Sequence, residues 1–143
     1  MVNQQALKDQ ICKAPPNMPN GGEIFKHIFT AAPDLRKHWD MEDIDPDQIA
    51  KSRQMQQKGA SFLSSLNHLI TNLENEKPFK LECVELKDSY KEIGLKSADV
   101  KKFASGVAAF FEAKAGKLND AQKKAWTEFF DKMSASLKEA GLD

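Results

Sequence analysis

The stretch that decides the fold of this chain is GEIFKHIFTAAPDLRKHW, residues 22–39. Its large apolar residues recur at the spacing of one face of an α-helix: Ile24, Phe25, Ile28 and Phe29. A second, short helical turn opens at Pro33 and closes at Trp39. Because no part of the stretch alternates apolar and polar residues, a strand is excluded here. The pattern predicts an amphipathic helix followed at once by a short turn.

The same helical period extends toward the N-terminus, where the predicted helix is short. Leu7 and Ile11 share one helical face, and Pro15 with Pro16 stops the helix. The stretch up to residues 21–22 is predicted as a loop that contains three prolines. The N-terminal part of the chain is therefore expected to be a short helix and a proline-rich connection.

Toward the C-terminus, four further helices are predicted, each with a periodic apolar face: residues 45–73, 78–94, 97–116 and 119–141. Asp45 is an N-cap of the first because Pro46 follows at the first helical position. Ser97 is the expected N-cap of the third, and Asn119 with Gln122 has the spacing of a capping box. The sequence therefore predicts an all-α fold of about seven helices in a single domain, residues 1–143.

Composition and charge exclude several classes of protein. The chain has 143 residues, with Lys plus Arg at 21 and Asp plus Glu at 21, so its formal net charge is zero. A nucleic-acid-binding module would carry a basic excess, and none is present. No apolar run approaches the roughly 20 residues that span a bilayer. Since the start of the sequence has no signal-peptide pattern, we expect a cytoplasmic protein, or an extracellular one if the chain is a processed mature form.

Motifs for catalysis or metal binding are missing from the sequence. Cys12 and Cys83 lie far apart and outside any Cys/His cluster, so both are predicted to be small buried apolar residues. The aspartates of residues 43–47 resemble the start of a calcium loop, but Gln48 and Gln54 occupy the places where that loop needs Gly and Glu. We therefore expect no metal site and no enzyme activity of a conventional kind.

Several segments of the sequence together resemble a known family, the nematode-type globins. Residues 22–29 and 33–39 resemble the second and third helices of these proteins. Three further segments are similar to the same family: Lys51-Ser52, Gln56-Gln57-Lys58-Gly59 and the run LNDAQKKAW at residues 118–126. The resemblance covers roughly residues 20–143 in the same order. It implies a globin-like domain with a haem between two of its helices, whose iron is held by a proximal histidine.

The residues at the haem-contacting positions depart from that pattern. Aligned without gaps from Gly59, the resemblance puts Tyr90 at the place of the proximal histidine and Lys58 at the distal polar position. By the same resemblance, the remaining pocket positions carry bulky aromatic residues: Phe25, Trp39 and Phe62. No shift of register restores the ligand, because the chain has no histidine after His68.

Without a proximal histidine, two different functions can be expected. Reversible oxygen binding needs ferrous iron, which a neutral imidazole stabilises, so an oxygen carrier is not expected. The leading hypothesis is a protein that has lost haem, binds no metal, and is a binding module for a small apolar ligand or a protein partner. The alternative is a protein that binds haem b through Tyr90, with Lys58 opposite it, as a ferric haem binder, sensor or gas-binding protein with weak peroxidase-like activity. No nucleic acid is expected as a partner. The sequence leaves the oligomeric state open, because it contains no sustained heptad pattern.

Overall fold

The computed structural model describes residues 2–143 and shows an arrangement of helices without β-strands in that range. Eight α-helices follow one another along the chain: α1 (Gln4–Ile11), α2 (Met18–Ala31), α3 (Pro46–Lys51), α4 (Arg53–Thr71), α5 (Glu76–Glu92), α6 (Ser97–Lys101), α7 (Phe103–Ala115) and α8 (Asp120–Glu139). A 3₁₀-helix, Pro33–Trp39, lies between α2 and α3. The all-α fold predicted from the sequence is confirmed. Among the residues described, no helix combines the length and apolarity needed to cross a membrane.

Helix α2 is the centre of the packing, and glycines allow its neighbours to approach it. It packs against α3, α4 and α7. A Cβ atom placed on Gly59 of α4 would overlap the backbone of Gly21 in α2, and one placed on Gly106 of α7 would overlap the backbone at Ile28. The helices therefore cross closely at both glycines. These contacts bring α2, α4 and α7 together on the side where the predicted site residues lie.

The long helix predicted over residues 45–73 is two helices. Ser52 has an extended backbone (φ −71°, ψ 121°), which ends α3, and its hydroxyl oxygen accepts a hydrogen bond of 3.3 Å from the Met55 amide. Asp45 caps α3 as expected, because its carboxylate accepts from the Asp47 amide at 2.9 Å. The periodicity could not reveal the break, since Ile49 and Met55 are both fully buried on either side of it.

The helix predicted over residues 97–116 is also divided, at Lys102. The Lys102 amide donates to the Asp99 carbonyl at 3.0 Å, a tight turn that separates α6 from α7. Ser97 does not cap α6 as predicted. Lys96 occupies the N-cap position, and its amide donates to the Asp99 carboxylate at 3.0 Å.

Two N-terminal expectations are corrected as well. The proline-rich connection is shorter than predicted, because α2 begins at Met18 and includes Pro19 in its first turn. Proline fits there, since the first amides of a helix have no partner inside the helix. Cys12, expected to be buried, is exposed because it follows the last turn of the short α1, whereas Cys83 is fully buried in α5.

Candidate functional site

A cleft lies between α4 and α5, with α2, α7 and the 3₁₀-helix behind it. Its volume is ≈ 330 Å³. Five of its lining residues are those that the sequence comparison with the globin pattern had selected: Phe25, Trp39, Lys58, Phe62 and Tyr90. The fold thus brings together side chains that are up to 65 positions apart in the sequence (from Phe25 to Tyr90).

Aromatic rings form the floor of this cleft. The ring centroid of Phe25 lies 5.3 Å from that of Trp39 and 5.8 Å from that of Phe62. Phe103 continues the cluster, with its ring 5.5 Å from Phe62 and 6.3 Å from Tyr90, both edge to face. Such tilted and edge-to-face arrangements are favourable for aromatic pairs. The floor is therefore a packed layer of rings rather than a loose set of side chains.

Periodicity explains how α4 and α5 supply the walls of the cleft. On α4, Lys58 and Phe62 are four residues apart and so lie on one side of the helix. On α5, Leu86 and Tyr90 have the same spacing, and Ile93 follows at the end of the helix. The floor residue Phe103 is the first residue of α7 and directly follows the turn at Lys102. This turn therefore helps to shape the cleft.

Tyr90 is buried in the cleft wall, and its hydroxyl is unusual. The side chain is 7% exposed, and within residues 2–143 its Oη atom has no hydrogen-bond partner. Burial raises the pKa of the Tyr90 phenol above its ordinary value, and the nearby Cys83 and Glu82 raise it further. The phenol is therefore held in its neutral form.

Lys58 stands at the opposite, solvent-facing side of the cleft. It is exposed, and no carboxylate forms an ion pair with it in the part of the chain that the structure describes. Five other lysines of the chain do form ion pairs: Lys26, Lys80, Lys87, Lys102 and Lys124. The ammonium group of Lys58 is thus available to a bound molecule.

His38 holds the end of α5 against the 3₁₀-helix behind the cleft. One of its ring nitrogens, Nδ1, lies 3.1 Å from the Ile93 carbonyl oxygen, and the other lies 3.7 Å from the Asp99 carboxylate. Lys102 in turn bridges Asp99 and Asp34. His38 directly precedes Trp39, so its contact with the Ile93 carbonyl ties two residues of the cleft lining to each other.

The sequence did not reveal every residue of the cleft. It missed the apolar lining residues Leu86, Ile93 and Phe103 and the polar ones Gln57, Ser61, Ser65 and Ser89. The spacing of Gln57, Ser61 and Ser65 on α4 is a detectable signal, because residues four apart form one polar stripe. No pattern in the sequence could have placed Ser89 opposite that stripe, since it belongs to a different helix.

As they stand, the residues of the cleft do not fit a haem. None of the three histidines of the chain, all of them within residues 2–143, lines the cleft. The Tyr90 oxygen is covered by protein atoms, and a bond to iron would require both its exposure and the loss of its proton. The packed rings of Phe25, Trp39 and Phe62 occupy the inner part of the cleft. Among residues 2–143 there is also no group of three or more His, Cys, Asp or Glu side chains that could hold a metal ion.

Comparison with known proteins relates this architecture to one family. A family model described as Globin matches residues 22–137. The chain is 35% identical over 127 residues to a protein named Myoglobin from Nippostrongylus brasiliensis, with 85% of this chain and 82% of that protein covered. It is 32% identical over 133 residues to a globin-like host-protective antigen of Trichostrongylus colubriformis, with 90% of this chain and 77% of that protein covered.

The same relationship is visible in three dimensions. A solved structure of a globin-like protein of Caenorhabditis elegans superposes with a TM-score of 0.80. The superposition covers 98% of this chain and 94% of the other, at 23% sequence identity. At that identity the match demonstrates a shared fold.

Proposed function

Because this chain belongs to the globin family, we propose that it is a haem-free member that uses its cleft to bind a small apolar ligand. It is a binding protein rather than an enzyme or an oxygen carrier. The observation that carries the proposal is that Tyr90, at the position which the resemblance assigns to the proximal histidine, keeps its oxygen covered and un-ionised inside the cleft wall.

The chemistry of the replaced ligand supports the loss of oxygen carriage. A neutral imidazole supports the ferrous iron that binds oxygen, while a tyrosinate ligand belongs to haem proteins of other function. Tyr90 is the single tyrosine of the chain, and burial opposes its ionisation. A group that has to lose a disfavoured proton before it binds is a weak metal ligand.

The aromatic floor supports the same proposal from packing. Protein interiors are close-packed, so a fold that gives up a large cofactor has to fill most of the space that the cofactor leaves. The rings of Phe25, Trp39 and Phe62 contact one another across the floor of the cleft. Each buried aromatic ring contributes on the order of 2 kcal/mol through burial. What remains is a smaller apolar cleft that is open to a ligand.

A haemin titration followed by absorption spectroscopy tests the proposal. We expect no saturable Soret band from the purified, cooperatively folded protein, whereas a globin with a proximal histidine, used as a positive control, takes up haemin stoichiometrically. A saturable band at one haem per chain overturns the haem-free proposal. For the cleft itself, we expect an uncharged fluorescent apolar probe to bind at a single site. The substitution Ser65→Trp, which fills the cleft, should abolish this binding.

The same titration tests the alternative expected from the sequence, which is ferric haem binding through Tyr90. The covered Tyr90 oxygen opposes this alternative, because ligation would require both exposure of that oxygen and loss of its proton. If haemin binds in the titration, Tyr90→Phe has to weaken that binding by at least tenfold. Unchanged haemin affinity in this variant contradicts ligation by Tyr90.

A further inference from the structure

The cleft is divided into a polar side and an apolar side. The polar lining residues lie on the two helices that flank its opening: Gln57, Lys58, Ser61 and Ser65 on α4 and Ser89 on α5. Four of these side chains are exposed, and Ser65 is half-buried. The floor and inner wall are built from Phe25, Trp39, Phe62, Phe103 and Tyr90, which are all buried. A molecule that satisfies both sides has one polar end and one apolar end.

The charge at the opening has a single sign. Lys58 is the one charged residue in the lining of the cleft as the structure describes it, and no carboxylate of residues 2–143 pairs with it. An ammonium beside an apolar cleft attracts an anionic group and repels a cationic one. Ser61 and Ser65 on the same helix add hydroxyl groups that can donate hydrogen bonds to the polar end of a bound molecule.

The size of the cleft selects the number of apolar chains. A methylene group is similar in size to a water molecule, which takes up ~30 Å³ of the liquid. The cleft volume of ≈ 330 Å³ therefore accommodates a single chain of about ten carbons.

We infer that the cleft binds a single-chain amphiphile with an anionic head group, a monocarboxylate being the simplest example. The tail lies on the aromatic floor formed by Phe25, Trp39, Phe62 and Phe103, and the head group lies at Lys58 between α4 and α5. This inference rests on the proposed function, because the space it assigns to the tail is the space a haem would need.

Three probes with the same ten-carbon tail separate the contributions of head and tail: decanoate, decanol and decyltrimethylammonium. Each is titrated into the purified protein below its critical micelle concentration. Fluorescence reports binding, because Trp39 lies on the floor of the cleft whereas Trp126 is fully buried against Phe111 elsewhere in the core. We expect decanoate to bind one site and to quench Trp39, decanol to bind more weakly, and decyltrimethylammonium to bind at least tenfold more weakly than decanoate.

A charge-removing variant tests the role of Lys58. Lys58→Met keeps an unbranched side chain, one atom shorter, and removes its charge, so decanoate affinity is expected to fall by roughly threefold to tenfold. The ratio of decanoate affinity to decanol affinity is expected to fall with it. Lys117→Met is the matched control, because Lys117 is exposed and lies outside the cleft lining. It should change neither affinity.

The outcomes of these experiments distinguish failure of this inference from failure of the proposed function. If decanol and decanoate bind equally and Lys58→Met changes neither, the anionic head group is wrong while the apolar cleft stands. If the cationic probe binds most tightly, the inference is likewise overturned. If none of the three probes quenches Trp39, or if Ser65→Trp leaves their binding unchanged, the cleft is not a ligand site and the proposed function itself fails.

Discussion

Glycine at position 59 shows how one residue controls the approach of two helices. A Cβ atom there would overlap the carbonyl oxygen, the carbonyl carbon and the Cα atom of Gly21, which are all backbone atoms. A flexible side chain could move away from such an overlap, but a helix backbone can yield only if α2 and α4 separate. The two glycines thus fix the distance between the helices that carry Phe25 and Phe62.

We predict that Gly59→Ala lowers the free energy of unfolding by about 3 kcal/mol or more, because overpacking here displaces a whole helix. Urea denaturation followed by circular dichroism measures the change. Ser64→Ala on the exposed side of the same helix is the control and should stay within about 0.5 kcal/mol of the unsubstituted protein. Equal stability of both variants would mean that the helix crossing is not as tight as the structure shows.

Tyr90 is a second residue whose setting can be measured directly. Its pKa is raised by burial in the folded state, whereas the unfolded chain ionises it near pH 10. The folded state therefore keeps a proton that the unfolded state loses. Stability from this group is present below about pH 10 and is lost as the pH rises above that value.

We predict that the tyrosinate absorbance of the native protein does not rise around pH 10 but appears only when the chain unfolds at higher pH. Between about pH 10 and the unfolding pH, Tyr90→Phe should reduce the fall in stability by up to ~1.4 kcal/mol per pH unit. A residual slope is expected from Cys83, since burial raises the pKa of that thiol to about 12. Native-state ionisation near pH 10 would contradict the buried position of the hydroxyl.

At neutral pH the same variant should be no less stable than the unsubstituted protein. A buried hydroxyl without a hydrogen-bond partner costs free energy, so its removal leaves stability equal or raises it by about 1 kcal/mol. A loss of stability would show that the Tyr90 hydroxyl has a bonding partner in solution, such as a bound water.

At the scale of elements, Asp143 fixes the start of the short helix α6 by hydrogen bonds. The Asp143 carboxylate accepts hydrogen bonds from the Ser97 amide at 2.8 Å and the Ser97 hydroxyl at 2.6 Å. The Ser97 carbonyl accepts from the Ser134 hydroxyl of α8 at 2.7 Å. Lys91 of α5 donates to the Gly141 carbonyl at 2.9 Å. The last residues of the chain therefore hold α5, α6 and α8 together next to Phe103 and the cleft.

We predict that Asp143→Ala lowers the urea midpoint at pH 7, while Asp131→Ala on the exposed side of α8 does not. The hydrogen bonds from Ser97 lower the pKa of the Asp143 carboxyl in the folded state. Its contribution is therefore present above the ordinary pKa of an aspartate and is lost as the pH falls through the lower folded value. The difference between the variant and the unsubstituted protein should shrink when the pH is lowered from 7 to about 3. A difference independent of pH would exclude the carboxylate as its source.

At the scale of the whole molecule, the chain has the globin fold, and the positions that the resemblance assigns to haem contacts carry Tyr90, Lys58 and bulky aromatic residues. The chain retains the family architecture over residues 22–137. Buried residues along the whole chain, from Leu7 to Leu142, form its core, so the helix packing does not depend on any one residue of the cleft.

We therefore predict that two substitutions restore haem binding. Tyr90→His supplies an imidazole at the position of α5 that the resemblance assigns to the haem ligand, and Phe62→Val opens the floor of the cleft. The double variant should take up haemin stoichiometrically and show a Soret band. Asp88→His with Phe62→Val is the control and should not, because Asp88 is exposed and lies outside the cleft lining. If the first variant also fails, the arrangement of the helices rather than these two side chains excludes haem.

The sequence by itself determined the fold class and the positions of most helices, since both depend on local patterns. The apolar period of residues 22–29 and the capping residues Asp45 and Asn119 are readable one helix at a time, and the structure places all of them as expected. The order of motifs along the chain was enough to recognise the family and to select Tyr90 and Lys58 as the residues of interest.

Only the tertiary structure decided where helices break and what surrounds the site residues. The periodicity across Ser52 and Lys102 is uninterrupted, because buried residues on both sides face the same core. Three features depend on contacts between elements: the position of Ser89 opposite the polar stripe of α4 and, within residues 2–143, the unpartnered Tyr90 hydroxyl and the lack of an ion pair at Lys58. Such contacts join residues distant in sequence, and for this reason no local pattern contains them.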